Sequence, residues 1–137
     1  MSAKVSRTVL KTSTSGDRRA ECNPQKYDDG TFEIDHVIAS SHGGLTRASN
    51  LCLACFSCNF YKAVNLSGVD PQTGKVIRLF DPRRQNWKRH FRWNGAILVG
   101  KTQIGRATIQ VLRINLPIRV ALRQSLIDIG VFPSSDG

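Results

Sequence analysis

The stretch from Phe32 to Lys62 constrains this chain more than any other. Residues 31–38 alternate, with Phe32, Ile34, Val37 and Ile38 as the apolar members, which predicts a strand. Residues 39–49 read as a loop turning at Gly43-Gly44, residues 50–54 as a second short strand, and residues 55–66 as a helix. Strand, loop, strand and helix in that order predict a small ββα unit.

The same stretch concentrates chemistry. Asp35-His36 closes the first strand, Asn50-Leu51 opens the second, and Cys55-x-x-Cys58-Asn59-x-x-Lys62 begins the helix. Cutting a phosphodiester requires an activated water, neutralisation of developing charge and help for the leaving oxygen. A hard divalent cation on carboxylate and amide oxygens serves the last two, and an imidazole near neutral pKa can take the proton from water. Successive strand residues point to opposite faces, so the strand must bend or end at His36 for both Asp35 and His36 to meet one phosphate. Taken singly, Asp35 reads as a loop carboxylate, His36 as a strand-end histidine and Asn50 as a turn residue. Their combination is what points to a nuclease.

Charge names the class of partner. The chain has 137 residues, a formal net charge of +10 and a pI near 10.1. From Pro82 to Ile127 there are ten Lys or Arg and no Asp or Glu, which favours nucleic acid over a merely solvated surface. Arg84, Lys88, Arg92, Arg106, Arg113, Arg119 and Arg123 are the candidate backbone contacts, giving affinity without sequence choice. Lys62, one turn beyond Asn59, is a candidate phosphate contact or a solvated lysine. No apolar run approaches the ~20 residues of a membrane span, and the N-terminal residues show no secretory pattern. Three of the four cysteines crowd between Cys52 and Cys58, suiting metal binding in a reducing compartment and hence a cytoplasmic location.

The length fits one domain. Residues 1–17 read as a flexible arm, 18–66 as the ββα core, 67–131 as a basic extension and 132–137 as a tail. Within the extension, residues 67–74 are turn-rich and 75–80 predict a short strand. Asp81-Pro82 reads as the N-cap and first residue of a helix placing Trp87 and Phe91 on one stripe and Arg84, Lys88 and Arg92 on another. His90 falls on that helix's surface. A turn at Trp93-Asn94-Gly95 and a strand over 96–99 follow. A first closing helix carries Ile104, Ala107, Val111 and Ile114 on one face and Arg106, Gln110 and Arg113 on another. A second, opened by Pro117, sends Ile118, Leu122 and Ile129 inward and Arg119 and Arg123 outward.

With these residues in place, the chain resembles the HNH endonucleases, whose active site is a ββα-metal finger. The nuclease motif spans about residues 18–66. Asp70-Pro71, Leu79 to Arg83, Trp87, His90-Phe91, Trp93 and Thr102 to Thr108 resemble the basic helical extension of a bacterial HNH subgroup. The implied fold is α+β: a small finger, a short strand region and basic helices. The resemblance implies His36 as general base, Asn50 as the residue orienting its loop, and Asp35 and Asn59 as ligands of one catalytic metal. Asn59 stands where many members have His. An amide oxygen suits Mg²⁺ or Mn²⁺ better than softer metals. DNA is the implied substrate ahead of RNA, and a dimer is compatible with double-strand cutting.

One departure stands out. Many members carry a second Cys-x-x-Cys upstream, and four thiolates hold structural Zn²⁺. Here Cys22 has no partner at Arg19 or Gln25, leaving Cys22, Cys55 and Cys58 as an incomplete set. Cys52 could complete it, but alternates with Leu51 and Leu53 on a short strand where a small apolar residue is ordinary. The damaged pair motivates a second reading: a nucleic-acid-binding module on an HNH scaffold that cuts weakly or not at all. A third, a structural zinc-ribbon module, fails on ligand count.

Overall fold

The computed structural model describes residues 32–132. The expected arm over 1–17, Cys22, and residues 133–137 of the expected tail lie outside the described residues. β1 (Phe32–His36) and β2 (Leu51–Cys55) pair antiparallel, with Asp35 opposite Cys52 and His36 opposite Leu51. Two 3-10 turns, Ser40–His42 and Ala48–Asn50, shape the loop between them. The helix that follows, α1 (Phe56–Lys62), is shorter than the sequence predicts. Its amide donors need an acceptor at the start, and Cys55 supplies one: Sγ accepts from the Cys58 N–H at 3.4 Å. It stops at Ala63, whose φ of 47° and ψ of −126° turn the chain sharply away.

Two further antiparallel hairpins follow. β3 (Ser67–Val69) pairs with β4 (Val76–Arg78), the first of these strands lying in a segment expected to be turn. The helix expected from Asp81 is replaced by a turn over 82–84 and one short helical turn, α2 (Trp87–His90), capped by the Asn86 side chain. Phe91 already belongs to β5 (Phe91–Asn94), which pairs with β6 (Ile97–Gly100). Arg84, Lys88 and Arg92 therefore share no helical stripe. Trp87 and Phe91 still pack, their rings 5.5 Å apart, so the apolar contact survives a different backbone path.

α3 (Gln103–Leu112) opens on Thr102, whose Oγ1 accepts from the Gly105 N–H at 3.1 Å. It packs against β6, β3, β4 and α1. At Gly105 a Cβ would collide with the His90 carbonyl, so the close fit of α3 against the end of α2 depends on that glycine. The core joins Ala54, Cys55 and Cys58 of the finger to Phe80, Phe91, Leu98, Leu112 and Ile114. Finger and extension therefore share one apolar centre.

α4 (Pro117–Asp128) reverses its expected orientation. Ile118 and Ile129 are 76% and 66% exposed, while Arg119 and Arg123 are 6% and 0% exposed. The reason lies in the end of α3, whose last carbonyls have no helical partner. Arg119 Nη1 donates to the Leu112 and Arg113 carbonyls at 2.7 and 3.2 Å. Arg123 donates from Nε to the Ala96 carbonyl at 2.7 Å and from Nη2 to the Ile114 carbonyl at 2.8 Å. A guanidinium satisfies several buried acceptors at once, which isoleucine cannot do. His90 is also buried rather than on a surface, with Nδ1 2.6 Å from Thr102 Oγ1. Phe132, placed in the tail by its sequence, packs its ring 4.8 Å from that of Trp93.

Candidate functional site

Asp35 and His36 are the last two residues of β1, paired with Cys52 and Leu51 of β2, and their side chains take different partners, Lys62 and Thr46. The loop beyond is fastened by Asn50. Its Oδ1 accepts from the Ile38 N–H at 2.9 Å, and its Nδ2 donates to the carbonyls of Ile38 and Leu45 at 3.0 and 2.9 Å. The Val37 N–H adds a bond to the Asn50 carbonyl at 2.8 Å. Gly44 makes this closure feasible, because a Cβ there would overlap the Ile38 carbonyl and approach Asn50 Nδ2. His36 is held from the same loop: its Nε2 lies 2.9 Å from Thr46 Oγ1. Thr46 escapes sequence reasoning because a threonine in a loop carries no signal for this contact.

Asp35 faces α1. Lys62 Nζ stands 3.2 Å from its carboxylate and 3.0 Å from the His36 carbonyl. A cavity of about 30 Å³, lined by Val37, Cys52, Ala54, Leu79 and Phe80, adjoins both side chains. Burial in these surroundings raises the Asp35 pKa, and the Lys62 charge and hydrogen bond only partly oppose it. Lys62, expected at phosphate or in solvent, is thus drawn inward by a half-buried carboxylate that needs a cation. Asn59 sits half-buried one turn before Lys62 on α1, where residues three apart share a face. A carboxylate and an amide on that seam are hard oxygen donors of the kind Mg²⁺ and Mn²⁺ take. His42 is exposed in its 3-10 turn.

Residues 20–62 match the family model described as HNH endonuclease. That stretch of the chain is similar to an HNH endonuclease domain. No curated protein and no solved structure matches the chain. HNH domains are generally nucleases that use divalent metals and act on nucleic acids. Among the described residues no helix is long and apolar enough to cross a membrane.

Among the described residues the finger's cysteines are Cys52, Cys55 and Cys58, all buried. Cys52 is buried opposite Asp35, and burial, with that neighbouring charge, pushes its thiol up to about 12. It therefore behaves as a small apolar residue. Cys55 and Cys58 lie together at the start of α1, but Arg119 Nη2 stands 3.7 and 3.2 Å from their sulfurs. No group of three or more His, Cys, Asp or Glu converges among the described residues. Structural zinc takes four closed ligands, and the donors among the described residues, faced by a guanidinium, do not make up that set.

Three of the arginines expected at DNA are engaged inside this chain. Arg119 and Arg123 are buried, and Arg106 makes two 2.9 Å bonds to the buried Asp70 carboxylate. Arg84, Lys88, Arg92 and Arg113 are exposed, Arg113 lying 5.3 Å over the Tyr61 ring. Arg83, a residue outside the expected set, donates from Nε to the Leu51 carbonyl, tying the extension to the start of β2.

Proposed function

We propose that this chain is a divalent-metal-dependent HNH endonuclease that hydrolyses DNA phosphodiesters. The observation that carries the reading is the position of Asp35 and His36 at the end of β1, next to a loop fastened by the three side-chain bonds of Asn50. In this reading His36 takes a proton from the attacking water, and the Thr46 contact sets its ring orientation. Asn50 keeps the loop from drifting, since small displacements of a reacting group are expensive in rate. Asp35 and Asn59 would hold Mg²⁺ or Mn²⁺, which when bound supplies charge stabilisation to the phosphate and the leaving oxygen. Lys62 pairs with Asp35 at 3.2 Å. Arg84, Lys88, Arg92 and Arg113 supply exposed positive charge for the DNA backbone, giving affinity that falls with salt.

The test is nicking of supercoiled plasmid with Mg²⁺ or Mn²⁺ by the wild type and by His36→Ala at matched folding. Loss of nicking only in the variant supports the reading, and equal cutting by both overturns it. DNA binding with no cutting by either, across several substrates, favours the binding-module reading. The arginine facing Cys55 and Cys58, where relatives carry zinc, is the specific observation on its side.

A further inference from the structure

The Cys-x-x-Cys of this finger is organised around an arginine. Cys55 is buried at 0% exposure and Cys58 at 2%, the first ending β2 and the second lying in the first turn of α1. A single nitrogen of Arg119, itself 6% exposed, reaches both sulfurs, at 3.7 and 3.2 Å. The guanidinium's other amino group is fixed on the Leu112 and Arg113 carbonyls that end α3. One buried cation thus joins β2, α1, α3 and α4.

We propose that Arg119 replaces zinc as the cross-link of this HNH finger. A structural zinc ties its ligands' segments together through short bonds to four donors. Arg119 ties the same β2–α1 junction to the C-terminal helices through charge-assisted hydrogen bonds, which are stronger than neutral ones. A metal between the two sulfurs would have to displace Nη2, and withdrawal of the side chain would leave the Leu112 and Arg113 carbonyls without these donors. Buried acceptors that lose their donors are costly. Asn59 follows Cys58 directly, so the clasp also sets where the candidate metal-ligand residue begins. The proposal concerns what holds the finger together and stands whether or not the chain cuts DNA.

The experiment uses the full chain purified without chelator. Zinc per chain is measured by plasma mass spectrometry, and melting temperature is followed with EDTA and with added Zn²⁺. The expected result is substoichiometric zinc and a melting temperature that neither reagent moves. Arg119→Met is expected to melt about 10 °C or more below wild type, whereas Cys58→Ser, which keeps an acceptor for the guanidinium, retains most of the wild-type value. One zinc per chain with melting lowered by EDTA overturns the proposal, as does an Arg119→Met protein that melts with the wild type. Should Arg119→Met fail to fold, the zinc content and chelator response of the wild type decide the matter alone.

Discussion

Lys62 and Asp35 form an ion pair across the seam between α1 and β1, at 3.2 Å, with side chains only 15% and 12% exposed. The pair joins a residue from the end of the helix to one from the end of the strand, and those elements carry the candidate catalytic set. Burial nevertheless raises the Asp35 pKa in the fold despite Lys62.

A raised acid contributes stability that is full below its ordinary pKa and is lost as pH rises through the folded value. The ionised form of Asp35 is therefore a burden on the native state. Asp35→Asn is expected to gain about 1 kcal/mol in denaturant melts at pH 7 while abolishing metal-dependent nicking. The gain should vanish as pH is lowered toward 4. A variant less stable at pH 7 would refute this account of the site.

Asn50→Ala removes the three side-chain bonds that fasten the β1–β2 loop. It leaves the Ile38 amide and carbonyl without their partner. A loss of about 1–3 kcal/mol is expected, and nicking should fall at least 100-fold with DNA affinity retained. Gel-shift and nicking assays on the same preparation separate the two effects.

Ala63 occupies φ 47°, ψ −126°, a region that glycine tolerates and alanine does not. Ala63→Gly is expected to stabilise by about 1 kcal/mol. Urea midpoints at constant slope would show it, and an unchanged midpoint would argue against the strained turn.

Asp70 is held well below the usual carboxylate range, chiefly by its hydrogen bonds from Arg106, with Gln72 and Thr73 adding to it. A depressed acid contributes stability present above its unfolded pKa and lost as pH falls through the folded one. Wild-type melting temperature should therefore decline below about pH 4, and Asp70→Asn should flatten that decline while lowering stability at pH 7. Calorimetric scans from pH 7 to pH 2 supply the comparison.

Exposed and buried arginines should separate cleanly. Arg92→Ser is expected to leave folding intact and reduce the salt slope of DNA binding by about 1. Arg123→Met should cost about 2–4 kcal/mol, because the Ala96 and Ile114 carbonyls lose their donors. Equal effects of the two on folding would contradict the burial pattern.

What the sequence determined by itself is the finger. Alternation around Ile34, the Gly43-Gly44 turn and the Cys55 helix start are local signals, and β1, β2 and α1 formed where those signals lay, with ends shifted by a few residues. The candidate set of Asp35, His36, Asn50 and Asn59 could be named for the same reason, since a motif is a local property. The extension was legible only in part. Trp87 and Phe91 met as their spacing suggested, yet Phe91 does so from β5, because pairing with Gly100 in β6 outweighs helical spacing in so short a segment. Tertiary structure alone decided which cations face water. A basic stripe on a helix carries no mark of whether the carbonyls ending the preceding helix are short of donors. Arg119 and Arg123 turned inward because those carbonyls, and the sulfurs of Cys55 and Cys58, are buried where water cannot reach them. Lys62 turned inward because burial left the Asp35 carboxylate in need of a cation.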